Sequence, residues 1–266
     1  MHQSTATNKK DIVQNNVVSE DEKRKARSLL ESSQEKYQNE DYSGAYRDAC
    51  ESVSLYPTPI SQYMRGYLAW FYANDEDTAI DALKYCLDKD YNDDACISLL
   101  ARCYMSKKDY SNAIFYLNKA IDNDRKDVNS LELRGICKSE MGQKEEALND
   151  YDKAISLSPD YYAAYCHRGN LKRILGDNEG AMNDLNKSIE LAPNLSEAFC
   201  NRGVLKKSLG DNEGALMDYN KAIELNPNNA EAFYDRGNLK EAFDVNGAIS
   251  DYDKAIELNP QLVEAY

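Results

Sequence analysis

The feature that most restricts what this chain can fold into is a 34-residue period in its C-terminal half. Prolines stand at Pro159, Pro193, Pro227 and Pro260, separated by 34, 34 and 33 residues. The pairs Arg134-Gly135, Arg168-Gly169, Arg202-Gly203 and Arg236-Gly237 share that step, as do Lys138, Lys172, Lys206 and Lys240. Alanines at 147, 181, 215 and 248 follow in phase, with one residue missing between Phe243 and Gly247. A fixed period of this length marks a row of supersecondary units rather than one globular core.

Each unit reads as two helices. Over 196–229 the first helix carries Phe199, Gly203, Leu205 and Leu209 and turns at Gly210-Asp211-Asn212. The second carries Ala215, Leu216, Tyr219, Ala222, Ile223 and Leu225, an apolar stripe with helical spacing, and Pro227-Asn228 ends it. Small residues such as Gly203, Ala215 and Ala222 permit close helix contact. One unit cannot bury its stripe alone, so neighbouring units must stack.

The pattern of Phe199, Gly203, Gly210, Ala215, Tyr219, Ala222 and Pro227 resembles the tetratricopeptide repeat. Stepping back by 34 finds more degenerate copies: Ala113, Leu117 and Ala120; Ala79, Leu83 and Cys86; Ala45, Ala49, Ser52 and Pro57. The expectation is seven units at about 26–59, 60–93, 94–127, 128–161, 162–195, 196–229 and 230–262. They make one all-α array over 19–266, and the resemblance implies a right-handed superhelical solenoid of stacked antiparallel helix pairs. Ser19-Glu20-Asp21-Glu22 has the form of a capping box, and 1–18 reads as a disordered polar tail. Leu262-Val263-Glu264-Ala265-Tyr266 matches the opening of an eighth unit, so the chain reads either as part of a longer protein or as an end covered by a partner. Weak self-association through that end is the corresponding expectation.

Two departures from the family pattern stand out. The seventh position, usually apolar, is Arg134, Arg168, Arg202 and Arg236, and the second helices carry Asp150, Asp184, Asp218 and Asp251 in phase. An intra-repeat ion pair, repeated four times, is the preferred reading over a basic rail for an acidic ligand, because half-buried charges need partners. The stripe Tyr63, Tyr67, Trp70 and Phe71 admits two alignments. Without a gap, Tyr63 and Trp70 occupy core positions and Tyr67 the usual glycine, which is the preferred reading. Matching Arg65-Gly66 to the later Arg-Gly pairs instead turns Trp70 and Phe71 outward, where they would form a binding hot spot.

The resemblance also implies that first helices line a groove, mainly through their second, fifth, ninth, twelfth and thirteenth positions. Carried over, the fifth is Glu132, Cys166, Cys200 and Tyr234, the ninth Ile136, Asn170, Val204 and Asn238, and the twelfth Ser139, Arg173, Lys207 and Glu241. Asn201 follows Cys200 and joins the candidates. The peptide-binding set is thus Asn170, Arg173, Asn201, Tyr234 and Asn238, with Trp70 and Phe71. Amide side chains suit such a groove because they both donate to and accept from a peptide backbone. The clamp by which related proteins hold acidic heat-shock-chaperone tails needs lysine at the fifth position with asparagine at the ninth. Here Cys166 and Tyr234 stand in the lysine's place.

Composition narrows the partner. The net charge of −14 argues against nucleic acid and favours a neutral or basic polypeptide. No apolar run is long enough to span a bilayer, and Met1-His2-Gln3-Ser4-Thr5 lacks a signal-peptide core. Seven scattered cysteines without a Cys-x-x-Cys pair read as thiols of a cytoplasmic protein. His2 and His167 are the only histidines, and no phosphate-binding glycine loop occurs, so neither catalysis, metal nor cofactor is expected. A non-enzymatic adaptor binding a polypeptide in its groove is the first expectation. The alternatives are the targeting arm of a larger, glycosyltransferase-like enzyme and a self-associating scaffold.

Overall fold

A computed structural model describes residues 18–89, 91 and 94–260, which form helices and connecting turns, with no strand among the described residues. The tail at 1–17 and the start of the eighth unit at 262–266 lie outside them. Cα packing divides the chain into two compact units, one ending at Cys103 and one beginning at Tyr104.

The first unit contains α1 (Glu20–Gln38), α2 (Tyr42–Leu55), α3 (Pro59–Leu68) and α4 (Glu76–Asp88), and α5 (Asp94–Ser106) starts in it. Ser19 caps α1 in a reciprocal box with Glu22. Helices α1 and α2 pack as a pair, as do α3 and α4. Between α3 and α4 lies a single π-helical turn, Ala69–Ala73, closed by Asn74. The second unit contains α6 (Tyr110–Asn123), α7 (Val128–Glu140), α8 (Lys144–Leu157), α9 (Tyr162–Ile174), α10 (Asn178–Leu191), α11 (Ser196–Ser208), α12 (Asn212–Leu225), α13 (Ala230–Lys240) and α14 (Val245–Leu258). Here α7–α8, α9–α10, α11–α12 and α13–α14 are antiparallel pairs, and each second helix packs on the next first helix. The first helices also touch in series, α7 on α9, α9 on α11 and α11 on α13.

The turn inside each pair repeats a two-residue device. A left-handed residue occurs at Glu40, Asn74, Lys108, Gly142, Gly176 and Gly210, with φ between +49° and +86°. The next residue caps the second helix: Asp41, Asp75, Asp109, Asp177 and Asp211 each accept a hydrogen bond from the amide three residues on. Capping with an aspartate satisfies an otherwise orphaned amide and favours the helix dipole. The residue missing before Gly247 removes the left-handed step, yet Asp244 still caps α14. Buried small residues such as Ala45, Ala79, Ala113, Ala181, Ala215 and Ala248 line the seams between helices.

The glycines of the first helices α3, α7, α9, α11 and α13 sit where a Cβ would strike the second helix. At Gly169 that Cβ would lie 2.9 Å from Leu185 Cγ, 3.2 Å from Asp184 Cβ and 3.3 Å from the Ala181 carbonyl. At Gly66 it would meet Leu83, Ala82 and the Ala79 carbonyl in the same arrangement. Gly66 is therefore the contact glycine of its unit, which corrects the ungapped alignment that put Tyr67 there. Relative to Gly169 and Gly176, one extra residue separates Gly66 from Asn74, and the π-turn absorbs it.

Candidate functional site

Two side-chain systems run along the second unit. The first joins Arg134 to Asp150, Arg168 to Asp184, Arg202 to Asp218 and Arg236 to Asp251. In each, Nε and Nη2 of the arginine donate to the two carboxylate oxygens at 2.5–2.9 Å. Lys138, Lys172, Lys206 and Lys240 lie one turn on and reach the same aspartates at 2.7–2.9 Å. The third nitrogen, Nη1, crosses to the preceding second helix and donates to Asn118, Asp152, Asn186 or Asn220. The arginine thus ties three helices, a role the sequence reading did not anticipate. All four aspartates are buried. Burial works against Asp251's charge, but Arg236 and Lys240 outweigh it and hold the carboxyl below its ordinary value.

The first unit carries incomplete copies. Asp48 accepts from Ser32, in the arginine's place, and from Lys36. Ala82 stands against Gly66 where Asp184 stands against Gly169, so Arg65 lacks the aspartate of the later units, and its buried Nε has no hydrogen-bond partner.

The second system lies along α7, α9, α11 and α13 and holds the candidate binding residues. Asn170 Oδ1 accepts from Nε and Nη2 of Arg173 at 3.2 and 2.8 Å. Asn201 Nδ2 donates to Cys166 Sγ at 3.5 Å. Asn238 Oδ1 accepts from the Tyr252 hydroxyl at 2.8 Å, and Tyr234 packs against Tyr252 at 6.0 Å. All five candidates of this row are half-buried. Trp70 is half-buried and Phe71 45 % exposed, both in the first unit. Three of the four fifth positions do not open onto this face as the carry-over implied. Glu132, Cys166 and Cys200 are buried.

The row also contains charged residues that sequence reasoning missed. His167 is not alone on its helix. Its Nε2 lies 2.9 Å from Glu132 Oε1 and its Nδ1 3.6 Å from Glu197 Oε1, so α7, α9 and α11 meet in one cluster. Burial opposes the imidazolium, yet the Glu132 hydrogen bond and the charge of Glu197 raise its pKa above the ordinary value. On α13, Asp235 accepts from the Cys200 thiol at 3.7 Å. Burial pushes that carboxyl up, against the pull of Lys207 and Arg173. A spacing of 35 residues links Glu132 to His167, Cys166 to Asn201 and Cys200 to Asp235, and it is readable in the sequence only once neighbouring first helices are known to touch.

Among the described residues no group of three or more His, Cys, Asp and Glu is placed to hold a metal ion. Burial pushes the Cys103 and Cys137 thiols up to about 12, which disfavours the nucleophilic thiolate. A cleft of about 620 Å³ lies in the first unit between α1 and the α2–α3 connection, lined by Lys23, Arg27, Leu30, Tyr56 and Ile60. No helix among the described residues is long and apolar enough to cross a membrane.

Comparison with known proteins agrees with this architecture. Tetratricopeptide repeat models match residues 71–135 and 162–195, and a TPR repeat model matches 139–173 and 205–242. Together these spans cover more than half of the chain. No curated protein sequence matches. A tetratricopeptide repeat protein from Parabacteroides merdae is 17 % identical with a TM-score of 0.78, covering 91 % of this chain and 96 % of that one. A thermophilic TPR protein of Thermus thermophilus is 18 % identical with a TM-score of 0.58, covering 65 % of this chain and 95 % of that one. Yeast Tom70 is 18 % identical with a TM-score of 0.65, covering 92 % of this chain and 53 % of that one. At such identities the likeness establishes the fold alone. Fourteen α-helices among the described residues, paired and stacked around a 34-residue period, and the matching repeat models together show that the chain belongs to the tetratricopeptide repeat family of interaction scaffolds.

Proposed function

We propose that this protein is a non-enzymatic adaptor that binds a neutral or basic polypeptide segment along α7, α9, α11 and α13. The observation that carries the reading is preorganisation: Arg173 is steadied by Asn170, Asn201 by Cys166 and Asn238 by Tyr252. Donors and acceptors fixed before binding lose little side-chain entropy when a peptide backbone arrives. The exposed carboxylates of Glu197 and Glu231 and the desolvated Asp235 favour a partner that brings donors or positive charge. The missing lysine at the fifth positions, together with the net charge of −14, disfavours acidic chaperone tails. Seven cysteines outside any disulfide, six of them buried, fit the reducing cytoplasm.

Selection of a random-peptide display library on the intact protein tests the proposal. Enriched peptides should lose affinity for an Asn170→Ala, Arg173→Ala, Asn201→Ala variant whose helical circular dichroism is unchanged. Undiminished binding to that variant would overturn it. A second reading, weak association between copies through α14, draws support from Ile249, 52 % exposed on that helix. Sedimentation of Ile249→Lys beside the parent tests it, since equal concentration dependence removes the reading.

A further inference from the structure

The π-turn of the first unit carries more than a repaired register. The extra residue lengthens the path from Gly66 to Asn74 and leaves Phe71 and Tyr72 45 % and 44 % exposed. Both rings belong to a cluster drawn from α1, α2 and α3. Phe71 stacks on Tyr67 at 5.6 Å and 11°, and meets Tyr42 edge-on at 5.3 Å and Tyr37 at 6.3 Å. Tyr72 lies 6.4 Å from Tyr42, and the Tyr37 and Tyr67 hydroxyls share a hydrogen bond of 2.9 Å. Five rings are therefore braced against one another while two show a face or edge to solvent. π-turns are uncommon and recur at functional positions, and joined aromatic patches on soluble chains tend to attract partners.

The charged residues that follow Tyr37 and the π-turn in sequence are acidic, while Arg65 on α3 adds to the pull that keeps Asp75 ionised. Glu40 and Asp41 occupy the chain between Tyr37 and Tyr42, and Asp75 and Glu76 follow the π-turn. Glu40 and Asp41 are exposed. The Thr78 amide hydrogen bond holds Asp75 below its ordinary pKa, so it is ionised at neutral pH. Lys36, the cation nearest in sequence to Tyr37, is engaged by Asp48 at 2.5 Å. Electron-rich rings edged with carboxylates attract a guanidinium or ammonium group, by quadrupole and by charge. The chain uses the same contact internally, with Arg168 over Tyr165, Arg202 over Phe199 and Arg236 over Phe233, each at 5.5 Å.

We propose that this aromatic face of the first unit binds a basic, extended segment of a partner protein, its arginine or lysine side chains lying on Phe71 and Tyr72 and balanced by Glu40, Asp41 and Glu76. The face is separate from the row on α7 to α13, and the proposal stands or falls independently of that one.

The test is fluorescence anisotropy of the intact protein with a labelled short peptide of alternating arginine and glycine. Matched peptides of glutamine and glycine, and of proline and glycine, serve as comparators. The arginine peptide should bind, and Phe71→Ser with Tyr72→Ser should weaken it by about tenfold or more. Glu40→Gln with Glu76→Gln should weaken it severalfold and flatten its salt dependence. Phe115→Ser, at another exposed ring, should leave it unchanged. Because Phe71 and Tyr72 are so exposed, their variants should keep the parent's circular dichroism. No binding of the arginine peptide, equal binding of the glutamine or proline peptide, or undiminished binding to the Phe71→Ser, Tyr72→Ser variant would each overturn the proposal.

Discussion

Arg202 holds Asp218 with two parallel hydrogen bonds, Nε to Oδ2 at 2.9 Å and Nη2 to Oδ1 at 2.7 Å, while its remaining nitrogen reaches Asn186 at 2.8 Å. The aspartate side chain is only 5 % exposed and the arginine 19 %. A planar guanidinium is suited to this duty, since one lysine cannot serve a bidentate acceptor and a neighbouring helix together. The ladder is thus both an intra-repeat pair and an inter-repeat tie.

Removing either partner strands a buried charge, which typically costs about 3–5 kcal/mol. Arg202→Ala should fall at the low end of that range, because Lys206 remains 2.8 Å from Asp218. Asp218→Ala should cost a similar amount, and the double variant less than the sum, since the two residues share one network. Equilibrium urea unfolding measures all three. Parent-like midpoints for both single variants would show that the ladder adds little to stability.

Acid should find the same ladder. Asp251 has a folded-state pKa below its ordinary value, because Arg236 and Lys240 more than offset burial. A depressed carboxylate contributes stability that is present above its unfolded value, about 3.9, and lost as pH falls through the folded value. Asp251→Asn should therefore flatten the fall in urea midpoint below about pH 4. Parallel curves for variant and parent would remove Asp251 from the acid transition.

The left-handed turn residue offers a prediction of opposite signs. Lys108 has φ +57° and Gly210 φ +85° at equivalent places in their units. A side chain in that region costs about 1 kcal/mol. Lys108→Gly should stabilise the protein and Gly210→Ala destabilise it, each by about that amount. Thermal or urea midpoints that move in the same direction for both would contradict the turn geometry.

How much of this was legible follows from what a period can encode. Helix pairs, small seam residues and the Arg-Asp phase recur every 34 residues, so Ala215, Tyr219 and Arg202 announce themselves. The aspartate caps recur as well and were readable, since Asp41, Asp75, Asp109, Asp177 and Asp211 share the step. Contacts between units were not. His167 with Glu132 and Glu197, or Arg202 with Asn186, depend on which faces neighbouring units turn to each other. Gly66 was legible only as the less favoured of two alignments, for a different reason. An insertion and a compensating shortening within one unit leave the overall period intact, and the close approach of Gly66 to Ala79 and Leu83 decides between the two alignments.

The last prediction concerns His167, the imidazole between two carboxylates. Glu132 from α7 lies 2.9 Å away and Glu197 from α11 3.6 Å, while the Tyr151 ring of α8 stacks at 6.1 Å and Tyr161 donates to Glu132 at 3.5 Å. Desolvation alone would favour the neutral ring, but the two carboxylates raise its pKa above 6.5. A raised folded-state pKa adds stability that is fully present below the unfolded value near 6.5 and is lost as pH rises through the folded one. Above that window Glu132, buried to 6 % exposure, faces a neutral ring and keeps its desolvation cost. Urea midpoints of the parent should therefore decline from about pH 6.5 upward more steeply than those of His167→Gln, whose amide still donates to Glu132 but does not titrate. Hydrogen exchange should place the loss in α7, α9 and α11 before the rest of the second unit. If parent and His167→Gln decline in parallel, the cluster holds a neutral imidazole and Glu132 is sustained by its hydrogen bonds alone.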